Sequence, residues 1–192
     1  MNIIELDFNN SIHKKDFINF PFHLYKDNAN WVPPLQSELR TVLNPQKHPF
    51  YRHSEARFFL AKESDQVVGR LSALINKNYT QFHNESVGFF YFFDSINDQI
   101  VMNGLLDHAI KWFKQSGIKK IIGPKGFLRS NGFGILVKGF DFLPALGIPY
   151  NYPYYDDLLS GFGFKKLTDH MSGYLYAKNP LPEKLHRRNG WR

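Results

Sequence analysis

The stretch Val87–Gly117 constrains this 192-residue chain more than any other. Val87-Gly88-Phe89-Phe90-Tyr91-Phe92-Phe93 is an unbroken apolar run of strand formers. Such a run suits a strand covered on both faces, in the middle of an α/β sheet. Asp94, Ser95, Asn97 and Asp98 then supply N-cap chemistry. A helical pattern follows: Val101, Leu105, Ala109 and Trp112 recur at four- and three-residue spacing, flanked by Met102, Leu106 and Phe113. Gly117 stands where a helix ends, with Lys111 and Lys114 near its negative pole. Lys119-Lys120-Ile121-Ile122-Gly123-Pro124 reads as the next strand, so the stretch is a β-α-β unit with a parallel crossover.

The length predicts one domain with a substantial core. Nineteen Phe within a 17% aromatic content imply a large apolar interior or a ring-lined groove. No apolar window reaches membrane-span length and no leader-like layout opens the chain, so no membrane partner is expected. Without cysteine, disulfides, cysteine–zinc sites and thiol nucleophiles are excluded, and a cytoplasmic location fits. The histidines lack metal-pair spacing, and no metal is expected. The formal charge of +7 gathers in Lys184, Arg187, Arg188 and Arg192, and in Lys119, Lys120, Lys125, Arg129 and Lys138. A basic face attracts nucleic acid, a membrane surface or an anionic small molecule. No helix-turn-helix, zinc-finger or RNP-like pattern is present, so nucleic acid ranks last and an anionic small molecule first, with plain solvation of the charges as the alternative.

Before the organising strand, Met1–Asp7 suits a short strand, and Ser11 is placed to cap a helix carrying Phe17, Ile18 and Phe20. Pro21, lacking an N–H, should end or kink it, with Phe22, Leu24 and Tyr25 on a second short helix. Trp31–Pro34 is extended, and Leu35–Leu43 suits another short helix stopped by Asn44-Pro45. Gln46–Glu55 is either a substrate-facing lid or a solvated loop pinned by its rings. Arg57–Lys62 and Val67–Asn76 form a hairpin across the polar turn Glu63–Gln66. Asn78–Ser86 is a polar connection.

After the unit, Gly123–Gly134 is glycine-rich and basic but contains no GxxxxGK(S/T), and Gly132-Phe133-Gly134 lacks a third glycine at phosphate-loop spacing. An anion nest with Lys125 and Arg129 and a plain flexible loop both remain open. Ile135–Pro149 is apolar and broken by glycine and proline. Tyr150–Tyr155 leads into a helix over Tyr155–Gly161, and Thr168–Ala177 suits a last strand. Residues 179–192, with Pro180 and Pro182, read as a tail or linker after a domain over 1–178.

This succession resembles the GNAT superfamily of acyl-CoA N-acyltransferases over about residues 1–177. Leu158-Leu159-Ser160-Gly161-Phe162-Gly163-Phe164 looks like its "L-Y-x-x-x-G-F" segment. Leu24–Leu35, Asn44–Tyr51, Gly139-Phe140-Asp141 and Pro149-Tyr150-Asn151 look like a bacterial branch of GNAT-like proteins whose members are often about twice as long. The resemblance implies an α/β fold with a mixed central sheet and flanking helices. It also implies transfer of an acyl (acetyl) group from acetyl-CoA or another acyl-CoA to an amine. The pantetheine arm would lie in the splay between Val87–Phe93 and Lys119–Gly123, with cofactor contacts at Phe92, Phe93, Asn97, Gly104, Lys125 and Arg129.

Two positions depart from the superfamily pattern. Its Q/R-x-x-G-x-G/A loop, whose N–H groups hold the pyrophosphate, corresponds to Asp94–Gly104, where the paired glycines are absent. Asp94 and Asp98 are expected to set carboxylates where phosphate would sit. The superfamily's proton-donating tyrosine corresponds to Leu159, leaving Tyr155, with Tyr154 beside it, as the candidate acid and Glu55, His53 or Asp94 as candidate bases. The residues thus support two readings: an acyltransferase of acyl donor and amine acceptor, or a GNAT-fold binding or scaffolding domain with a degenerate cofactor loop. A homodimer is left open.

Overall fold

The computed structural model describes residues 1–128, 131–145, 147–173, 176 and 178. Five strands form one sheet in sequence order: β1 (Asn2–Glu5), β2 (Glu55–Glu63), β3 (Gln66–Ile75), β4 (Val87–Ser95) and β5 (Lys120–Ile122). Neighbours are antiparallel except β4 and β5, which run parallel with Val87 beside Lys120 and Phe89 beside Ile122. Helices α1 (Ser11–Leu24) and α2 (Gln36–Val42) cover one face. Helix α4 (Gln99–Gln115) and α5 (Tyr155–Phe162) cover the other, and a short α3 (Lys77–His83) precedes β4. The mixed α/β sheet with flanking helices expected from the sequence is the architecture observed.

The apolar run of β4 is covered on both sides: Val87 and Phe89 join the α1–α2 core, while Phe90 and Phe93 join the core beneath α4. The seven buried residues of α4, from Val101 to Phe113, form one stripe on the sheet. The helix lies close because the sheet offers glycine there. A Cβ at Gly69 would meet Leu105 at 2.8 Å, and one at Gly88 would meet the Phe113 ring at 2.7 Å.

Several boundaries differ from the sequence reading, each for a local reason. Helix α1 runs unbroken through Pro21, and Asn10, not Ser11, caps it by accepting from Ile12 and His13 N–H. Pro21 leaves the Phe17 carbonyl without its helical donor, and Arg70 Nη1 donates to that carbonyl at 2.7 Å. The polar connection holds α3, capped by Asn76 and closed by Asn84 in a left-handed conformation (φ 52°). Residues 168–173 carry no strand. The tail 179–192 lies outside the described residues.

The close seat of α4 gives a direct test. Gly88→Ala forces a methyl into the Phe113 ring and should cost about 1–3 kcal/mol. A lower urea midpoint at unchanged m-value is the expected result.

Candidate active site

The site assembles at the C-terminal end of β4, where β5 has diverged. After Phe89 pairs with Ile122, the Phe90 carbonyl accepts from Lys125 N–H (2.8 Å) and the neighbouring chain then departs. Between Arg70 and Ser72 of β3 the register slips, so that β4 fits two residues, Phe92 and Phe93, opposite Leu71. Phe92 takes φ +44°, a left-handed conformation rare for a bulky residue and in keeping with a β-bulge. Phe92 therefore joins Tyr91 on the α1 face, Phe93 turns to the α4 face, and every later side chain is reversed.

That reversal decides the fate of Asp94. Its carboxylate points to the α1 face and accepts from Arg70 Nε at 2.7 Å and Tyr25 Oη at 3.3 Å. Arg70 is buried, with its guanidinium over the rings of Phe17 and Phe92. The expected placement of Asp94 at the phosphate position, and its candidacy as a free base, are both corrected: Arg70 neutralises it on the other side of the strand. Asp98 does stand at the turn, capping α4 by accepting from Ile100 N–H at 2.7 Å. A like charge about 5 Å away at effective dielectric near 20 would cost roughly 3 kcal/mol.

Tyrosines fill the edge left open by β5. Ile96 N–H reaches back to Val68 of β3, so the neighbouring Ser95 main chain faces the open side. Ser95 N–H donates to Tyr155 Oη (3.1 Å), and the Ser95 carbonyl accepts from Tyr154 Oη (2.7 Å). Tyr155 and Tyr25 hydroxyls lie 2.9 Å apart. The direction of this bond follows from its ends: a backbone N–H only donates and an ionised carboxylate only accepts. Tyr25 gives its proton to Asp94, so Tyr155 gives its own to Tyr25. Burial, then the Asp94 charge, pushes the ionisation of Tyr25 and of Tyr155 far upward. Burial likewise raises Tyr154, which is half-buried and nearer solvent. Trp31, Tyr25, Tyr152 and Tyr154 stack in succession at 5.1, 5.0 and 5.5 Å, tying α1 to the segment before α5.

The other expected site residues scatter. Glu55 pairs with Lys77 at 2.6 Å, in register with Ile75 at the far end of β3 from Gly69 and Ser95. Six residues of strand make that about 20 Å, too far to work with Tyr155. His53 shares that far end. Gly104 faces β1, where a Cβ would meet the Ile3 side chain at 3.1 Å, so it packs on the sheet and does not front the turn. The Lys125 ammonium lies over the rings of Tyr79 and Phe89, and burial lowers its pKa. Asn97 is exposed at the turn, and Phe93 packs edge-on to Tyr155. Arg129 lies outside the described residues. Two open concavities, about 310 and 260 Å³, are lined by residues of neither β4 nor α5. Among the described residues no group of three His, Asp or Glu could hold a metal, and no helix is long and apolar enough to cross a membrane.

Comparison with solved structures decides the fold. An aminoglycoside acetyltransferase from an uncultured soil metagenomic sample, solved with sisomicin, superposes with TM-score 0.56 at 13% identity, over 91% of this chain and 96% of that one. The chain has the GNAT acetyltransferase fold. A predicted acetyltransferase with acetyl-CoA from Clostridium acetobutylicum shares this GNAT architecture, at TM-score 0.51 and 12% identity over 90% and 95% of the two chains. In sequence, the chain is 33% identical to Protein YghO of Escherichia coli (strain K12) over 161 residues, 84% of this chain. It is 30% identical to the bacterial ceramide synthase of Caulobacter vibrioides over 175 residues, 91% of this chain. It spans 41% and 46% of those relatives' lengths. No family model matches.

The buried network yields two expectations. Arg70→Met leaves the Asp94 carboxylate without its ion-pair partner and should cost about 3–5 kcal/mol, whereas Arg70→Met with Asp94→Leu should recover most of that in urea unfolding. Tyr25 and Tyr155 ionise near pH 10 when unfolded and well above it when folded, so their contribution is complete below pH 10 and lost as pH rises. Stability should fall by roughly 1.4 kcal/mol per pH unit per tyrosine above that point, and Tyr25→Phe should flatten the slope.

Proposed function

We propose that this chain is an N-acyltransferase domain that moves an acyl group from a pantetheine thioester to an amine. The observation that carries the reading is the β4 edge that β5 leaves without a strand partner, where tyrosine hydroxyls hold the main chain. On a GNAT sheet, β4 turns the Ser95 main chain towards the gap left by β5, held there only by side-chain hydroxyls. A pantetheine arm carries amides of its own and can bond such an edge as a short strand would. The edge thus fits the arm, while the α4 turn, capped by Asp98 and without paired glycines, does not offer the usual pyrophosphate cradle.

The chemistry forms a bond from the amine nitrogen to the acyl carbon and breaks the carbon–sulfur bond. The amine gives up a proton and the departing thiolate takes one. Tyr155 is a poor donor, being buried with its proton committed to Tyr25. Tyr154 is the better candidate acid, and Tyr155 is a positioning residue that holds Ser95 and Tyr25. The name of the Caulobacter relative supports amide formation: a ceramide is an N-acylated amine. A long-chain amine is therefore the acceptor class to try first.

The second reading, a binding domain without turnover, draws support from the engaged Tyr155 and from Leu159, which is buried where the superfamily's donor would stand. Thiol release from octanoyl-pantetheine, with and without a long-chain primary amine, separates the two. Acyl transfer predicts amine-dependent release at least about tenfold above the protein-free rate. Tyr154→Phe should reduce kcat by roughly tenfold or more with little change in KM. No amine-dependent release leaves the binding reading.

A further inference from the structure

We infer that the acyl group reaches this site on the phosphopantetheine arm of an acidic carrier protein, not on a nucleotide. This rests on the acyl-transfer reading and goes beyond it by naming the carrier.

The first turn of α4, where a coenzyme A pyrophosphate would have to lie, is furnished against one. The Asp98 carboxylate takes the Ile100 N–H at 2.7 Å, placing negative charge where a pyrophosphate would bring more. Gln99 spans the flank of that turn: its Nε2 donates to Asn103 Oδ1 at 2.8 Å and to the Leu158 carbonyl of α5 at 3.0 Å. A Cβ on Gly161 would meet Gln99 Oε1 at 2.5 Å, so the two helices lie close there. Ile100 is 69% exposed on the same turn, an apolar side chain where a charged nucleotide would rest. The Lys125 ammonium, the described cation expected to serve as an anion contact, is turned onto the rings of Tyr79 and Phe89.

What survives is recognition of the arm itself. The Ser95 carbonyl accepts its short hydrogen bond, 2.7 Å, from the half-buried Tyr154, with Tyr155 Oη at a looser 3.5 Å, and an amide N–H can replace the Tyr154 hydroxyl. A donor whose arm is delivered by a protein needs no nucleotide cradle. Its affinity comes from the arm and from contact between the two protein surfaces, and the +7 charge of this chain favours an acidic one.

Calorimetry with coenzyme A, pantetheine, holo acyl carrier protein and its apo form (without the arm) tests this. Coenzyme A should bind no more tightly than pantetheine, and the holo carrier about tenfold or more tightly than either. The apo carrier should bind at least about tenfold more weakly than the holo form, and the holo affinity should drop as salt rises. Asp98→Asn should tighten coenzyme A by about threefold or more and leave the holo carrier unchanged. Coenzyme A more than about tenfold tighter than pantetheine in the unaltered protein, or a holo carrier that binds no better than its apo form, overturns the inference and leaves acyl transfer standing. Failure of all four probes to bind removes the acyl-transfer reading as well.

Discussion

The guanidinium of Arg70 is the point on which the open end of the sheet is built. Two irregularities serve it. Pro21 removes the donor that would have occupied the Phe17 carbonyl, and Arg70 fills the vacancy at 2.7 Å. The bulge at Phe92–Phe93 reverses the side-chain alternation of β4 and so brings Asp94 to the same face, 2.7 Å from Arg70 Nε. Either a helical donor at position 21 or a regular β4 would leave a buried cation short of a partner. Desolvating two charges costs about as much as their attraction returns, so the pair is better understood as fixing α1, β3 and β4 relative to one another than as a net source of stability.

From that pair the order spreads outward by hydrogen bonds of fixed direction. Asp94 fixes the proton of Tyr25, Tyr25 that of Tyr155, and Tyr155 receives the Ser95 N–H. The chain of bonds joins α1, β4 and α5, elements far apart in sequence, and so adds direction to the apolar contacts they already share. The stack of Trp31, Tyr25, Tyr152 and Tyr154 seals the same three-way junction from the side, each ring pair adding about 0.5–1.5 kcal/mol beyond its buried area. Scaffold and site are therefore one network. The Ser95 main chain is held by the groups that hold the helices.

The parts of this fold that were legible in the sequence are those set by periodicity. The run Val87–Phe93, the apolar stripe from Val101 to Phe113 and the hairpin across Glu63–Gln66 each carry their period in plain view. What escaped reading depends on partners distant in sequence. Nothing around Pro21 announces that Arg70, 49 positions later, would supply the missing donor, so a proline inside a helix read as a break. Nor does Phe92 differ from its neighbours, although it alone among them takes a left-handed φ, and the bulge turned Asp94 away from the turn where alternation had put it. Glu55, Gly104 and Lys125 have suitable residue types near the motifs, but neither property fixes their partners. The structure gives Glu55 a lysine partner and Gly104 a packing contact, and it stacks Lys125 on aromatic faces. Asn76, the cap of α3, directly follows Ile75 of β3, so in sequence it reads equally well as a strand end.

The two carboxylates that looked equivalent in sequence illustrate how a loop can lose one function and keep another. Asp94 was buried, neutralised and made structural, and it adds no net charge at the turn. Asp98 kept the helix-capping position, satisfying an N–H that an anion would otherwise have bound. Only the second bears on what the site can admit. A helix that caps itself with a carboxylate gains stability from the same electrostatics that would have held a phosphate, so the gain is made at the expense of nucleotide binding. The β4 edge is under no such conflict, because hydroxyl-to-carbonyl contacts exchange with amide-to-carbonyl contacts at nearly equal energy. Under the proposed acyl transfer, such a surface would separate the two halves of an acyl donor, disfavouring the charged handle while leaving an edge that the amide-bearing arm can bond.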